Sequence, residues 1–515
     1  MSERYDAIII GAGHNGLVCA GLLAKAGKRV LVLEENDQVG GASVTRSFAD
    51  GYSVSSCAHL LYQLQPVVCK ELGIDIDFAA TDMETIALSQ DGNHLRLAAG
   101  KVTGVSETDA REYGEFIQRT SRFADMLQKY YNRTPPRLAN FSRSDLITLG
   151  KLGFDLRFGL GKEAMGEFMR LIGMNIYDEM QECFESPLLK GAISLDAVLG
   201  THLGPRSPNT YLTFLHRMIG NHGNASQPVG GMGAVTAALA NAATGNGAEI
   251  RTGARVKQVV VENGRVTGVE LDSGETADSW TVVSNADPYT TIMQLVHAKH
   301  FETGFIRRVS NIRAKGNAAK LHLALDGLPD FKGLDKKDFG ERILIAGGID
   351  DVERAFNPAK YGQCSTSPVM EISFPSFRDP SLAPTGKHVL SAIVQYVPYE
   401  LRDGWNDAAR EAFLKTTIDT IAKYAPDLPG RITASELLTP VDIEREYHMR
   451  GGHWHHAELT LDQFMFTRPA AGAAQYATPL EGLYLCGAGS HPGGGVMGSA
   501  GRNAARVILG QEKQV

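Results

Sequence analysis

Four histidines, His448, His453, His455 and His456, lie within nine positions of the stretch EREYHMRGGHWHHAELTLDQ. An imidazole can act as a general base near neutral pH, orient a substrate group or bind a metal ion. A metal site is disfavoured because consecutive ligands such as His455 and His456 point apart, and no acidic or cysteine cluster completes a ligand set. Two interpretations stay open: a catalytic or substrate-orienting loop, and a loop of histidines that are only hydrogen-bonded or exposed.

A second pattern with chemical potential is glycine-rich and lies near the start of the chain. Gly11, Gly13 and Gly16 form GxGxxG between AIII and RVLVLE, two apolar runs that predict buried strands, and residues 15–26 predict a helix. At such a junction the glycines permit a sharp turn, let a pyrophosphate approach the backbone and let the helix pack on the sheet. Glu34 ends the second strand, where its carboxylate can accept hydrogen bonds from ribose hydroxyls.

Another glycine cluster lies in GLYLCGAGSHPGGGVMGSAGRNAARVIL, residues 482–509. We expect a short strand at LYLC and a helix that begins near Gly495. A complete second dinucleotide site needs another strand and an acidic residue about 20 positions further on, and only QEKQV follows Gly510. The cluster is therefore expected to add one more helix N-terminus to the nucleotide site that the first glycines form.

These motifs together resemble the FAD fingerprint of the amine oxidase and phytoene desaturase superfamily. Further stretches, among them CFESPLLKGAISLDAVLG, PVGGMGAVTAALA and GGHWHHAELTLDQFMFTRP, extend the likeness over nearly the whole chain. They are similar to phytoene desaturase-related oxidoreductases, in particular to the branch named after a pyridine nucleotide-disulfide oxidoreductase domain. The resemblance implies a bipartite flavoprotein of class α/β plus α+β. A discontinuous Rossmann-like FAD-binding domain would span 1–80, 226–298 and 471–515, and a substrate domain of antiparallel sheet plus helices would span 81–225 and 299–470.

The resemblance also implies site residues. A glycine pair after the acidic residue lies against the cofactor in this family, and Gly40 and Gly41 match it, followed by Ala42, where the family often has arginine, and by Thr45. The predicted contacts to FAD extend to a further set: His14, Asn15, Glu35, Val256, Asn285, Gly487, Val496 and Met497. The family-like GGxxxH pattern falls on His456, which makes this residue the first catalytic candidate and His453 the second.

Composition limits the classes of function. The net charge of -7 and isoelectric point near 6.1 argue against nucleic-acid binding. The six cysteines form neither CxxC nor CxxxxC, which excludes a disulfide reductase and indicates reduced thiols in a cytoplasmic protein. The sequence contains no uncharged apolar run of about 18 residues, so we expect no transmembrane helix. The amphipathic stretch 146–163, with Lys151, Arg157 and Lys162, is either an ordinary domain helix or a helix that lies on a membrane surface.

The leading functional hypothesis follows from the count of nucleotide motifs. Because no second GxGxxG occurs, we expect no NAD(P)H site. The chain would be an FAD-dependent oxidoreductase that removes hydride from a largely apolar small molecule and passes electrons to oxygen, a quinone or a redox partner. Two alternatives stay open: a redox-neutral flavin-dependent isomerase of a polyene or enone, and a flavin-bound partner protein without turnover.

Three further residues have two interpretations that the sequence leaves open. Each either lines a pocket or packs in the core: Trp454, His59 and Tyr62.

Overall fold

The computed structural model describes residues 4–137 and 141–510, and its sheets draw on distant segments of the chain. The strands are β1 (Ala7–Ile10), β2 (Val30–Leu33), β3 (Thr45–Ala49), β4 (Tyr52–Ser55), β5 (Phe78–Met83), β6 (Thr85–Ala87), β7 (Leu95–Ala98), β8 (Lys101–Thr103), β9 (Ala225–Pro228), β10 (Glu249–Arg251), β11 (Val256–Glu262), β12 (Arg265–Leu271), β13 (Thr276–Asp278), β14 (Val282–Ser284), β15 (Ala318–Leu325), β16 (Arg342–Ile345), β17 (Val369–Ser373), β18 (His388–Gln395), β19 (Ile432–Leu438) and β20 (Leu483–Leu485).

The α-helices connect and cover these strands. They are α1 (His14–Lys25), α2 (Pro66–Leu72), α3 (Glu107–Tyr131), α4 (Arg143–Phe154), α5 (Lys162–Leu171), α6 (Ile176–Cys183), α7 (Pro187–Val198), α8 (Thr210–Met218), α9 (Met232–Gly245), α10 (Thr303–Ser310), α11 (Ile349–Phe356), α12 (Pro375–Arg378), α13 (Asp407–Ala422), α14 (Leu428–Arg431), α15 (Pro440–Tyr447) and α16 (Ser499–Ile508). Within the described ranges, no helix combines the length and the apolar character that a membrane span requires.

A five-stranded parallel sheet, in the order β10-β2-β1-β14-β20, organises the first half of the architecture. The predicted strand–helix–strand unit at its centre is confirmed as β1, α1 and β2. Every residue of β1 and β2 is buried, as expected for apolar strands of a parallel sheet covered on both faces. Helix α1 packs against α9 and α16, and a Cβ at Gly501 would lie 2.0 Å from the Asn15 carbonyl oxygen, so this crossing needs glycine.

An eight-stranded sheet, in the order β19-β15-β18-β17-β16-β6-β7-β8, forms the second half. Its neighbours pair antiparallel except β16 and β6, which run parallel. The strand-like segment AKLHLAL lies in β15 and most of KHVLSAIVQYV lies in β18, the second and third strands of this sheet. Side chains of β15 are buried along the whole strand, because helices and loops cover both faces of the sheet there.

Two predicted helices differ from those observed. The last helix begins at Ser499 and not near Gly495, because Gly493, Gly495 and Gly498 have φ values of 132°, 127° and 76°, which a right-handed helix cannot contain. The stretch 146–163 is not one helix. It divides into α4, a π-helical turn over Asp155–Gly159 and the start of α5, separated by Gly161 at φ 84°.

The two large sheets draw their strands from different segments of the chain. The five-stranded sheet uses strands only from 1–80, 226–298 and 471–515, and the eight-stranded sheet uses strands only from 81–225 and 299–470. The pair β5–β9 spans both predicted boundaries, near residues 80 and 225. The fold is thus a mixed α/β architecture, and its exact division into domains stays a prediction.

Candidate functional site

One cavity of about 870 Å³ runs along the carboxyl edge of the parallel sheet and reaches the eight-stranded sheet. Gly11 follows β1, Glu34 follows β2 and Asn285 follows β14, so the ends of three parallel strands meet in its wall. This edge is where open α/β sheets bind ligands. On the opposite side the wall includes Glu371 from β17 and Ile393 from β18.

At the sheet edge of this cavity, glycines leave main-chain atoms that no side chain covers. Gly11 has a φ of 91°, and a Cβ at Gly13 would lie 2.6 Å from Asn285 Nδ2. A Cβ at Gly16 would lie 2.2 Å from the Gly11 carbonyl oxygen, so this glycine lets α1 pack on the turn. The turn therefore offers main-chain N–H groups and a helix N-terminus to a phosphate-bearing ligand without side chains in the way.

The predicted glycine pair completes this cradle. The Gly40 amide donates a hydrogen bond of 2.9 Å to the Ala12 carbonyl oxygen. A Cβ at Gly41, where φ is 58°, would lie 3.6 Å from Gly13 Cα. The two glycine motifs, separated by more than twenty positions in sequence, thus form one surface around Gly13.

Two acidic residues follow β2 at the edge of the cradle. Glu34 accepts hydrogen bonds from the Ala12 amide (2.7 Å) and the Asn36 amide (3.0 Å), and burial raises the pKa of its carboxyl group. Glu35 instead forms an ion pair with Arg255 at 3.3 Å and lies 3.3 Å from His448 Nε2. Glu34 is therefore held where a ribose can meet it, and Glu35 belongs to a charged rim.

Three histidines of the cavity wall each have one buried ring nitrogen without a hydrogen-bond partner. His14 Nε2, His455 Nδ1 and His456 Nδ1 are buried and have no hydrogen-bond partner. Burial lowers the pKa of His14 to about 4, with a further contribution from His456, and burial lowers the pKa of His456 to about 3. The unpaired nitrogens themselves are covered, so each neutral imidazole can offer a ligand in the cavity only its second ring nitrogen, as one donor or one acceptor.

Arg468 positions the histidine loop from behind. Its buried guanidinium donates to the carbonyl oxygens of Glu458 (3.0 Å), Gln463 (2.9 Å) and Ala488 (2.8 Å). These bonds tie the loop to the segment that leads towards α16. His456 itself has a φ of 57°, a left-handed conformation that the loop must hold in place.

His453, the second catalytic candidate, does not line the cavity. Its Nε2 lies 3.4 Å from a carboxylate oxygen of the buried Glu458. Across the described residues, no three His, Cys, Asp or Glu side chains converge as a metal site would require.

The structure brings most of the predicted cofactor residues together. Those that line the cavity are Gly11, Gly13, His14, Asn15, Glu34, Glu35, Gly40, Gly41, Ala42, Val256, Asn285 and Val496, with His456 among the catalytic candidates. Those outside its lining are Gly16, Thr45, Gly487 and Met497.

The four residues outside the lining have other surroundings. The Thr45 hydroxyl donates to the Gly230 carbonyl oxygen (2.8 Å) and accepts from the Gly233 amide (2.9 Å), so it stabilises the start of α9. Met497 is fully buried in an apolar cluster. A Cβ at Gly487 would lie 2.3 Å from the Asn285 carbonyl oxygen, so this glycine, like Gly16, permits close backbone packing.

Other cavity residues carried no signal in the sequence. Arg217 in α8 and Glu371 in β17 belong to no motif or regular spacing of polar residues, and the segments around them predict only a helix and a strand. Of the residues with two open readings, His59, Tyr62 and Trp454 all line the cavity. Spacing rules do not find Arg217 and Glu371, because they meet only when the helix and the strand pack together.

Comparison with known proteins gives matches over nearly the whole chain. The family model described as "Flavin containing amine oxidoreductase" matches residues 16–509. Pyridine nucleotide-disulfide oxidoreductase domain-containing protein 2 of Mus musculus is 32% identical, covering 99% of this chain and 94% of that protein. A subunit of limonene dehydrogenase from Castellaniella defragrans is 28% identical over 99% and 95% of the two chains. A solved oxidoreductase from Methanosarcina mazei shares the fold, with a TM-score of 0.62 at 18% identity over 98% and 99% of the chains.

Proposed function

Because the chain belongs to the flavin containing amine oxidoreductase family and is an FAD-dependent oxidoreductase, we propose that it oxidises a small organic molecule by hydride removal. The observation that carries this proposal is the continuity of the cavity. The same space joins the glycine cradle to the apolar side chains of Leu199 and Ile393, so a cofactor and a substrate can meet inside it. The relative named for limonene dehydrogenase supports an apolar skeleton for the substrate.

The residues of the chain would bind and orient both molecules. The Gly11 to Gly13 turn and the start of α1 would hold the FAD diphosphate, and Glu34 would accept hydrogen bonds from its ribose. When bound, FAD supplies the hydride acceptor. His456 would donate or accept one hydrogen bond in the neutral form. Its pKa of about 3 suits an orienting role better than that of a base at neutral pH.

The electron acceptor is the second part of the proposal. With one nucleotide motif in the sequence, electrons would leave to oxygen, a quinone or a redox partner and not to NAD(P). Purified protein should release one FAD per chain in acid. Dithionite-reduced holoprotein, mixed with air-saturated buffer or with a soluble quinone under argon, should reoxidise rapidly in one of the two.

Three outcomes would count against this function. Anaerobic bleaching of the flavin by NADPH at turnover rates would overturn the acceptor. Turnover of a polyene without any acceptor would indicate the isomerase alternative. A protein that cannot be loaded with FAD would contradict the proposal as a whole.

An exposed apolar surface supports peripheral membrane contact as a further part of the proposal. Its large apolar side chains are Phe141, Leu146, Ile147, Phe154, Phe158 and Met169, each at least half exposed. Exposed cations lie among them: Arg143, Lys151, Arg157 and Lys162. This mixture on the 141–169 surface fits the interface of an anionic membrane, where apolar groups insert and cations meet lipid phosphates.

A further inference from the structure

The wall that the eight-stranded sheet contributes to the cavity is charged as well as apolar. Arg217 and Glu371 line it beside Leu60, Leu199 and Ile393. The Arg217 guanidinium lies 4.0 Å from the centre of the Tyr62 ring, and its side chain is 17% exposed. An arginine held flat against an aromatic ring, with one edge towards a cavity, is a typical recognition element for a planar anion.

The carboxylate of Glu371 already bonds to four neighbouring side chains. Glu371 Oε2 accepts from Arg342 Nε (2.6 Å), Arg217 (2.7 Å) and the Tyr62 hydroxyl (3.2 Å), and Oε1 is bonded to His59 Nε2 (2.9 Å). Burial alone would raise the pKa of Glu371, but the two guanidiniums hold it well below its usual range. With donors on both of its oxygens and no exposed side-chain surface, Glu371 is out of reach of a substrate ammonium.

The other polar groups around Glu371 are also occupied. His59 Nδ1 is bonded to Lys320 Nζ at 2.5 Å, so both ring nitrogens of His59 have partners. Behind the wall, Arg342 forms ion pairs with both Asp196 and Glu371. These contacts hold the cluster together without leaving an acceptor that faces the cavity.

Arg217, in contrast, has donors to spare. Its Nε lies 2.9 Å from an Asp196 oxygen but is not aligned for a hydrogen bond and has no bonded partner. Only its Nη2 bond to Glu371 is a well-formed hydrogen bond. Nε itself is buried and does not reach the cavity, so the donors open to a ligand are the N–H groups of Nη1, which no described residue accepts from; a group with acceptor oxygens in the cavity would satisfy them.

We propose that Arg217 binds a carboxylate of the substrate, so that the substrate of this oxidoreductase is an apolar molecule with an acidic group. The inference rests on the proposed function, since it assigns the substrate class for the same cavity. Leu60, Leu199 and Ile393 would contact the apolar skeleton, and Arg217 would hold its charged end. At this end of the cavity an amine would meet the like charge of Arg217 and no accessible carboxylate, so amines are disfavoured.

The test uses the full-length, FAD-loaded protein and three probes of one shape: benzoate, benzamide and benzylamine. Each is titrated while the visible absorption of the bound flavin and the melting temperature are recorded. We expect benzoate to bind at least about 10-fold more tightly than benzylamine, with benzamide between them. Equal or tighter binding of benzylamine by the wild-type protein would overturn the inference without any variant.

Variants then assign the effect to one side chain. Arg217→Met should weaken benzoate binding by about 10-fold or more, and Arg217→Lys should retain part of it. Arg206→Met is the matched control, because Arg206 also lies 4.0 Å from a tyrosine ring, that of Tyr177, but outside the cavity lining. Unchanged benzoate affinity in a folded, FAD-loaded Arg217→Met protein would refute the assignment. FAD loading itself reports separately on the proposed function.

Discussion

Substitution of Gly13 by alanine tests the phosphate cradle most directly. Gly13 precedes α1 with φ −67° and ψ 166°, a conformation that alanine adopts without strain, so folding should be preserved. The added methyl group would lie 2.6 Å from Asn285 Nδ2 and would occupy the surface that we assign to the FAD diphosphate. Loss of one charge-assisted hydrogen bond costs about 1.5–3 kcal/mol. At about 1.4 kcal/mol per tenfold, the Kd for FAD should rise roughly 10- to 100-fold.

The measurement is a titration of apoprotein with FAD, followed by quenching of flavin fluorescence, together with the melting temperature of the apoprotein. Gly245→Ala serves as the control, because no heavy atom lies within 4 Å of a Cβ at this position near the end of α9. The control should bind FAD like the wild type. If the Gly13→Ala apoprotein melts normally and also binds FAD with wild-type affinity, the diphosphate does not lie against Gly13 and our account of the cradle is wrong.

Three further predictions concern other parts of the molecule. The His456→Ala variant should keep its FAD, but substrate should reduce its flavin about 10- to 100-fold more slowly than in the wild type. The ratio of the wild-type and variant reduction rates should stay constant from pH 6 to 9, because the imidazole is neutral throughout. A ratio that changes with pH would show that His456 titrates during turnover. Burial lowers the pKa of Lys320 to about 7, so between about pH 7 and pH 10.4 the unfolded chain binds more protons and stability should rise with pH. Lys320→Met should flatten this rise in melting temperature relative to the wild type, and identical slopes would contradict the shifted pKa. On the 141–169 surface, Phe158→Asp should reduce co-sedimentation of the protein with phosphatidylglycerol vesicles. Tyr361→Asp is the control and should not, because Tyr361 is an equally exposed aromatic residue (67% each) outside this surface. Equal losses in both variants, or self-association of the wild type without vesicles, would argue against a membrane partner.

Much of the nucleotide half of this protein could be predicted from the sequence. The unit from β1 to β2 is specified by local properties: apolar runs that must be buried, and glycines where the backbone must turn sharply or be approached closely. Gly11, Gly13 and Glu34 therefore lie in the cavity as their spacing predicted. The family and its flavin cofactor were likewise evident from motifs that extend over the chain.

Local pattern was a weaker guide where backbone conformation decides the direction of a side chain. Val496 lines the cavity while its neighbour Met497 is buried in the core, because Gly495 and Gly498 turn the chain between them with positive φ. In the histidine loop, His456 faces the cavity and His453 lies against Glu458. No periodicity applies to such irregular segments, so residue type alone could not separate these candidates.

The substrate end of the cavity depended on tertiary structure alone. Arg217 and Glu371 are separated by 154 positions and sit in a helix and a strand whose own patterns only indicate burial. Their ion pair forms because the tertiary fold brings the last turn of α8 to the middle of β17, and such a long-range approach leaves no fixed spacing in the sequence. The sequence determined that this protein binds a flavin nucleotide, since that site is built from local turns. Which group faces the substrate was decided by the packing of distant elements.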